Sequence, residues 1–423
     1  MSFDKTFCAS PWFHMRINNQ GHYEYCRWAS ADTLLPGPSI KDLDPAEYFQ
    51  QHMTEIRNNL LSENVVPGCQ QCHLMEKHNK ISGRQRQLLK VGVTTNNFDK
   101  TVASSPWFDQ LRYSDIDLLP QDWQIDLGNF CNSACVFCTP NYSSRLASEF
   151  KKLKIVHQSP PSNWCDDPAQ LEKFLSILKR SPTVKYLHFI GGETLITPAF
   201  KTILQALIDS DLHRTVSIGF TTNLITWDDA VCDMLTQFHD VHLGLSVECF
   251  DALNDYVRWP SKIDTVQQLT KTWISLAQQH QWSVQFRITP TMLTMGRLLS
   301  VYDYAWDNNI TIESCNFLEN PKCLKISVLP IELRKKYLEH MQHWLDAHDC
   351  ESDQILNIRN PEHARTQIVQ DLKSYVNYLQ NEIDESHLLT DAVTYLKLLE
   401  SNRKNSVLDY LPEYEQLFRS AGY

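Results

Sequence analysis

The stretch Cys131–Cys138, CNSACVFC, places three thiols within eight residues. Thiolate is a soft ligand that zinc and iron-sulfur units both accept, and so short a loop can wrap three thiolates around one face of a compact inorganic cluster. Three is one short of a tetrahedral shell. A zinc loop must borrow a fourth ligand, such as His157, whereas a cubane of four irons on three thiolates keeps one iron open to a ligand from outside the chain. A second set stands near the start: Cys8, Gly21 and Cys26 form C-x12-G-x4-C, and CQQC supplies Cys69 and Cys72. Four thiolates suit structural zinc and an iron-sulfur cluster equally. Cys165, Cys232, Cys249, Cys315, Cys323 and Cys350 are scattered. Of these, Cys249 and Cys315 fall at strand ends, as inward hydrogen-atom donors or crosslink partners, or as small buried hydrophobes.

The elements that must position these thiols are legible from about Trp123 onward. Apolar β-rich runs at 123–130, 184–193, 215–223, 241–249, 283–291 and 310–318 alternate with segments of helical period such as 198–210, 228–238 and 263–280. Connections this long predict parallel strands covered by helices, and six units rather than eight predict a partial (β/α)6 barrel, an α/β fold. Polar or small residues end each strand: Cys131, Gly191-Gly192-Glu193, Thr221-Thr222-Asn223, Ser246 with Glu248, and Thr289. In parallel α/β folds such ends converge on one mouth. His188 alternates with apolar neighbours and reads as a packed histidine. Upstream, residues 11–28 read as a hairpin and 44–61 as a helix, so 1–95 reads as a small α+β module, 96–122 as a linker, 123–325 as the barrel and 326–423 as a helical region covering it.

Composition narrows the class. The chain has 423 residues, 42% hydrophobic, with 12 glycines, a globular balance. Its start lacks the apolar core of a secretory signal and no run approaches a membrane span, so a cytoplasmic protein without membrane contact is expected. Thirteen cysteines in that setting read as ligands rather than disulfides. A net charge of -11 argues against a nucleic-acid partner. One basic run, Glu76–Lys90, reads as a solvated face or as a contact for an acidic leader peptide.

CNSACVFC with Phe137 before its last cysteine, set after the first strand and followed at the second by GGE, resembles the radical S-adenosylmethionine (SAM) superfamily over about residues 120–320. The resemblance implies a [4Fe-4S] cluster on Cys131, Cys135 and Cys138 whose open iron binds SAM, and reductive cleavage of SAM to a 5'-deoxyadenosyl radical. It implies close backbone approach at Gly191 and Gly192, an acceptor for the SAM ammonium at Glu193, and strand-end contacts from Asn223, Ser246 and Glu248. Relatives often read Ser-x-Asp-Gly where this chain has Ser246-Val247-Glu248-Cys249. Arg258 in NDYVRWP matches an arginine that pairs with the SAM carboxylate. For Asn223, Ser246 and Arg258 the alternative is an ordinary strand-end hydrogen bond or surface charge.

The phrase C-x12-G-x4-C followed by C-x2-C resembles the twitch and SPASM modules of radical SAM maturases, which follow the barrel in most relatives and precede it here. That likeness implies a second, fully ligated [4Fe-4S] cluster that passes electrons. The implied activity is modification of a peptide or protein side chain by crosslinking, epimerisation or oxidation, with a reducing partner such as flavodoxin or ferredoxin. A small molecule such as a sugar or nucleotide metabolite is the second substrate class. A non-catalytic iron-sulfur or zinc scaffold is the reading from another class.

Overall fold

The computed structural model describes residues 7–29, 37–62, 64, 66–90, 120–155, 162–181, 183–314, 317–348, 363–381 and 384–423. The 96–122 segment lies outside these except for its last three residues, as do His157, Cys315 and Cys350.

Eight strands form one sheet in the order β2-β1-β3-β4-β5-β6-β7-β8. β1 (His14–Ile17) and β2 (Tyr23–Glu24) are an antiparallel hairpin. Six parallel strands follow: β3 (Asp122–Asp126), β4 (Tyr186–Ile190), β5 (Ser217–Thr222), β6 (Val241–Ser246), β7 (Ser283–Ile288) and β8 (Thr311–Ser314). These six make the expected partial barrel. The hairpin does not stand apart from it, because β1 pairs in parallel with β3, His14 opposite Asp122 and Ile17 opposite Ile125. Helices α1 (Met53–Leu61), α2 (Gln70–Lys77) and α3 (Gly83–Lys90) complete the N-terminal part. Helices α4 (Ser144–Lys152), α5 (Pro168–Lys179), α6 (Pro198–Asp209), α7 (Asp229–Leu235), α8 (Ile263–His280) and α9 (Leu299–Asn308) alternate with the strands. The tail is helical, with α10 (Ile331–Ala347), α11 (Ala364–Asn381) and α12 (Leu389–Arg403). Among the described residues no helix is long and apolar enough to cross a membrane.

Alternation along the strands divides the sheet into two faces. Leu187, Phe189, Ile218, Phe220, Leu243, Leu245, Phe286 and Ile288 are buried. This face meets the helices: Phe189 packs on Phe200 of α6 at 5.1 Å and Phe220 on Trp273 of α8 at 5.8 Å between ring centres. Each such ring removed from water contributes about 2–3 kcal/mol. α5 begins where Asp167 caps it, its carboxylate accepting from Ala169 N at 2.9 Å, with Pro168 in the first turn.

The opposite face is polar, and charge pairing is what lets it close. Arg16 on β1 pairs with Glu24 at 3.0 Å and Asp126 at 3.3 Å, and Arg27 with Asp122 at 3.6 Å. Arg287 on β7 and Arg86 on α3 both pair with Glu313 on β8, the former at 2.8 Å. Gly219 and Gly244 make room: a Cβ on Gly219 would strike Tyr186 and His188, whose side chains are hydrogen-bonded at 2.9 Å. The basic run is therefore not the solvated face read from sequence. Lys80 reaches Asp371 at 3.3 Å and Arg84 reaches Glu76 at 2.6 Å, both buried, so these cations with Arg86 are committed inside the fold rather than offered to an acidic leader.

Burial alone would raise the Glu313 carboxyl, but Arg287 and Arg86 hold it down to about 2. Its folded value lies below the ordinary one, so this stabilisation is present above the usual carboxylate range and is lost as pH falls from about 5 towards 2. Glu313→Gln strands two half-buried guanidinium groups. Urea unfolding at neutral pH should show a loss of about 3–5 kcal/mol, with a flatter decline below pH about 5 than in the unsubstituted chain.

Candidate active site

The chain leaves β3 through Gly128, held at φ +105 with its N–H donated to Asp126 Oδ1 at 3.0 Å. The turn after β4 is fastened onto this one, Gly192 N to Gly128 O at 2.7 Å and Glu193 N to Phe130 O at 2.8 Å. A Cβ on Gly191, at φ +139, would stand 2.7 Å from Gly128 O, and one on Gly192 would overlap the Phe130 carbonyl. Glycine is thus required here for the approach of two strand-end turns to each other.

The thiol loop is fastened on its other side to residues 257–259. Ala134 N donates to Trp259 O at 2.7 Å and Val136 N to Val257 O at 2.9 Å. That alternation turns Arg258, between the two acceptors, towards the thiols. Cys135 is buried and Cys131 and Cys138 are half-buried, and Cys131 Sγ accepts from Ser133 N at 3.4 Å. Burial pushes the Cys131 thiol up to about 12 and raises Cys135 and Cys138 as well; neighbouring thiols reinforce the shift at Cys131 and Cys138, and Arg258 opposes it at all three. Three thiols that stay protonated by themselves become thiolates when a metal centre supplies positive charge.

Two buried carboxylates flank them. Glu193 accepts from Asn223 N at 2.6 Å and Leu195 N at 3.3 Å, joining the ends of β4 and β5, and burial lifts its carboxyl to about 7 against those bonds. Glu248 accepts from Arg258 Nη1 at 2.9 Å and Thr289 N at 2.7 Å, and burial likewise lifts it to about 7 against Arg258. Asn223 Nδ2 reaches Asn132 Oδ1 at 2.7 Å and Ser133 Oγ at 2.9 Å, so the end of β5 also holds the thiol loop. Phe137 lies under the Arg258 guanidinium, 5.8 Å from ring centre to Cζ. Ser246 ends β6 in register with Arg287, deeper along the polar face. Cys249 is wholly buried.

These residues fit a cluster that carries SAM. The three thiols stand near enough for neighbouring ones to raise the pKa of Cys131 and Cys138, and among the described residues Arg258 Nε is buried with no hydrogen-bond partner, which leaves one edge of a guanidinium for a carboxylate from outside the chain. Glu193 keeps unused lone pairs for an ammonium donor.

The N-terminal thiols have a place of their own. Cys8, Cys26, Cys69 and Cys72 all line one pocket. Among the described residues no three Cys, His, Asp or Glu side chains close on a point as they would around one ion. Cys26 Sγ accepts from Trp28 N at 3.3 Å, Cys8 and Cys72 accept from the backbone of Ser10 and Arg84, and the Tyr25 hydroxyl is hydrogen-bonded to Cys69. Burial raises Cys26 and Cys69 to about 11 and Cys72 to about 12. Cys8 precedes β1 and Cys26 follows the antiparallel β2, so this cavity lies at the amino ends of the parallel strands, opposite the mouth where Cys131 stands.

Several site residues carry no motif. Arg403 and Tyr395 of α12 hold the thiol loop, with Arg403 Nη2 donating to Ala134 O at 2.8 Å and the Tyr395 hydroxyl to Val136 O at 3.0 Å. They lie more than 250 residues from the cysteines, and nothing local marks them.

Residues 125–292 match the family model described as the Radical SAM superfamily. Among solved structures, Streptococcus suis SuiB bound to S-adenosylmethionine shares 13% identity over 82% of this chain and 72% of its own, with a TM-score of 0.36. SuiB bound to precursor peptide SuiA gives 14%, 81%, 70% and 0.36. Native anSMEcpe with bound AdoMet gives 16%, 53%, 61% and 0.37. No curated protein sequence matches.

Asn223→Ala removes two bonds to the thiol loop while sparing every thiol. A stability loss of about 1–3 kcal/mol is expected, with iron lost from the anaerobically reconstituted protein on desalting that the unsubstituted chain retains.

Proposed function

We propose that this chain, which carries a radical SAM domain across residues 125–292, is a two-cluster radical SAM enzyme that modifies a peptide or protein side chain. The observation that carries the reading is the pairing of three thiols, not four, with a buried guanidinium whose Nε has no partner among the described residues. A [4Fe-4S] cluster held by Cys131, Cys135 and Cys138 would supply one-electron reductive cleavage of SAM and, through it, abstraction of a hydrogen atom from the substrate. Arg258 orients the SAM carboxylate through its free edge while Glu248 fixes its other edge. Glu193 receives the SAM ammonium, and its carboxyl near 7 is ionised by that contact. Asn223 keeps the thiol loop in register.

The four N-terminal cysteines hold an auxiliary [4Fe-4S] cluster in a twitch-like module. The pocket they share and the hydrogen bonds to their sulfurs suit a bound metal centre, and the likeness of the cysteine phrase to twitch and SPASM modules favours iron-sulfur over zinc. The peptide substrate rests on the likeness of that cysteine phrase to maturases. A flavodoxin- or ferredoxin-type protein in the cytoplasm supplies electrons.

Anaerobic reconstitution should give about eight irons per chain, about four in Cys135→Ala and about four in Cys69→Ala. With dithionite and SAM the unsubstituted chain should release 5'-deoxyadenosine and Cys135→Ala none. Four irons plus one zinc would remove the auxiliary cluster, and absence of cleavage would remove the enzyme. Incubation with short peptides encoded beside the gene should change a peptide mass; turnover of sugars or nucleotides alone would overturn the peptide reading.

A further inference from the structure

Helix α12 reaches the thiol loop from the far end of the chain. Arg403, its last residue, is buried and grips Glu149 of α4 with two bonds, Nε to Oε1 at 2.9 Å and Nη2 to Oε2 at 2.6 Å. The same Nη2 donates to the carbonyl of Ala134, the residue before Cys135. Among the described residues its Nη1 is buried without a hydrogen-bond partner, and its guanidinium stands 5.2 Å from the ring centre of Trp259, whose carbonyl holds Ala134 N. The ion pair is oriented. Its positive end meets the loop at the Ala134 carbonyl, one residue before Cys135, while the carboxylate of Glu149 belongs to α4.

We propose that Arg403 is a positioning residue for the SAM-binding cluster: it fixes the Ala134–Cys135 peptide and holds the reduction potential of that cluster up by placing a fixed positive charge beside its buried ligand. The inference rests on the reading that Cys131, Cys135 and Cys138 carry the cluster. A cation held in a dry region favours the state with one more electron, and water does not screen it there. The C-terminal region thereby belongs to the redox site rather than serving only as a cover.

The test is an anaerobic redox titration of the reconstituted full chain with dithionite, followed by electron paramagnetic resonance with SAM present. Because Arg403→Met leaves Glu149 buried and alone, the informative variant is R403M/E149L, which removes both charges and fills their space. With about four irons on the trio, its reduced-to-oxidised ratio at fixed potential should fall about tenfold, equivalent to about 59 mV for one electron. Glu149→Gln, which bares the arginine, should shift the midpoint upward, and R403K should return it towards the unsubstituted value. A purely structural role predicts lower iron content with an unchanged midpoint in the assembled fraction, and that result overturns the inference. If replacing all three cysteines leaves iron content and the SAM-perturbed spectrum unchanged, the reading of the trio fails together with it.

Discussion

A loop that offers three thiols within eight residues has no regular structure to hold its own peptide groups, and those groups are buried. The fold meets this by satisfying the loop from outside on both edges. Its N–H groups at Ala134 and Val136 go to the 257–259 segment, and its carbonyls at the same two residues go to Arg403 and Tyr395. Buried peptide groups left unpaired would each cost about 1–3 kcal/mol. The loop is therefore fixed before any ligand arrives, and the same pairing turns Arg258 inward. Rigidity of the thiols and aim of the guanidinium come from one set of bonds.

The interior of the barrel shows a second consequence of burial. Its inner face carries arginines and carboxylates that would be untenable singly, and they are matched: Arg16 with Glu24 and Asp126, Arg27 with Asp122, Arg86 and Arg287 with Glu313. Such pairs contribute little net stability against apolar replacements, while breaking one is costly. Their effect is to fix geometry: β1 to β3, and the helices after CQQC to the far edge of the sheet.

The sequence made the barrel readable because each strand alternates and each helix keeps its period. Ile263–His280 spans the range its pattern indicates, and strands end a few residues early only where their polar tips leave the ladder. The cysteines and GGE were readable because they are local. What lay hidden is non-local. Nothing in HMRI tells which edge it will join, so the hairpin reads as a separate module although β1 extends the sheet. Lys80, Arg84 and Arg86 look like a solvated run because their partners Asp371 and Glu313 are hundreds of residues away, and only Glu76 is near. The glycines of GGE suggest a ligand, and the structure adds a nearer reason in the backbone of Gly128 and Phe130.

That hidden pairing decides where the two cysteine sets stand. Because β1 runs parallel to β3, Cys8 and Cys26 lie at the ends where the strands begin, and Cys131 lies where β3 finishes. Five residues of strand span about 16 Å. A side chain reacting beside Cys131 therefore cannot also ligate a metal centre held by Cys8, Cys26, Cys69 and Cys72. Two functions fit that position: electron passage through the polar interior, or bracing the hairpin against the sheet. Hydrogen bonds to its sulfurs serve either function.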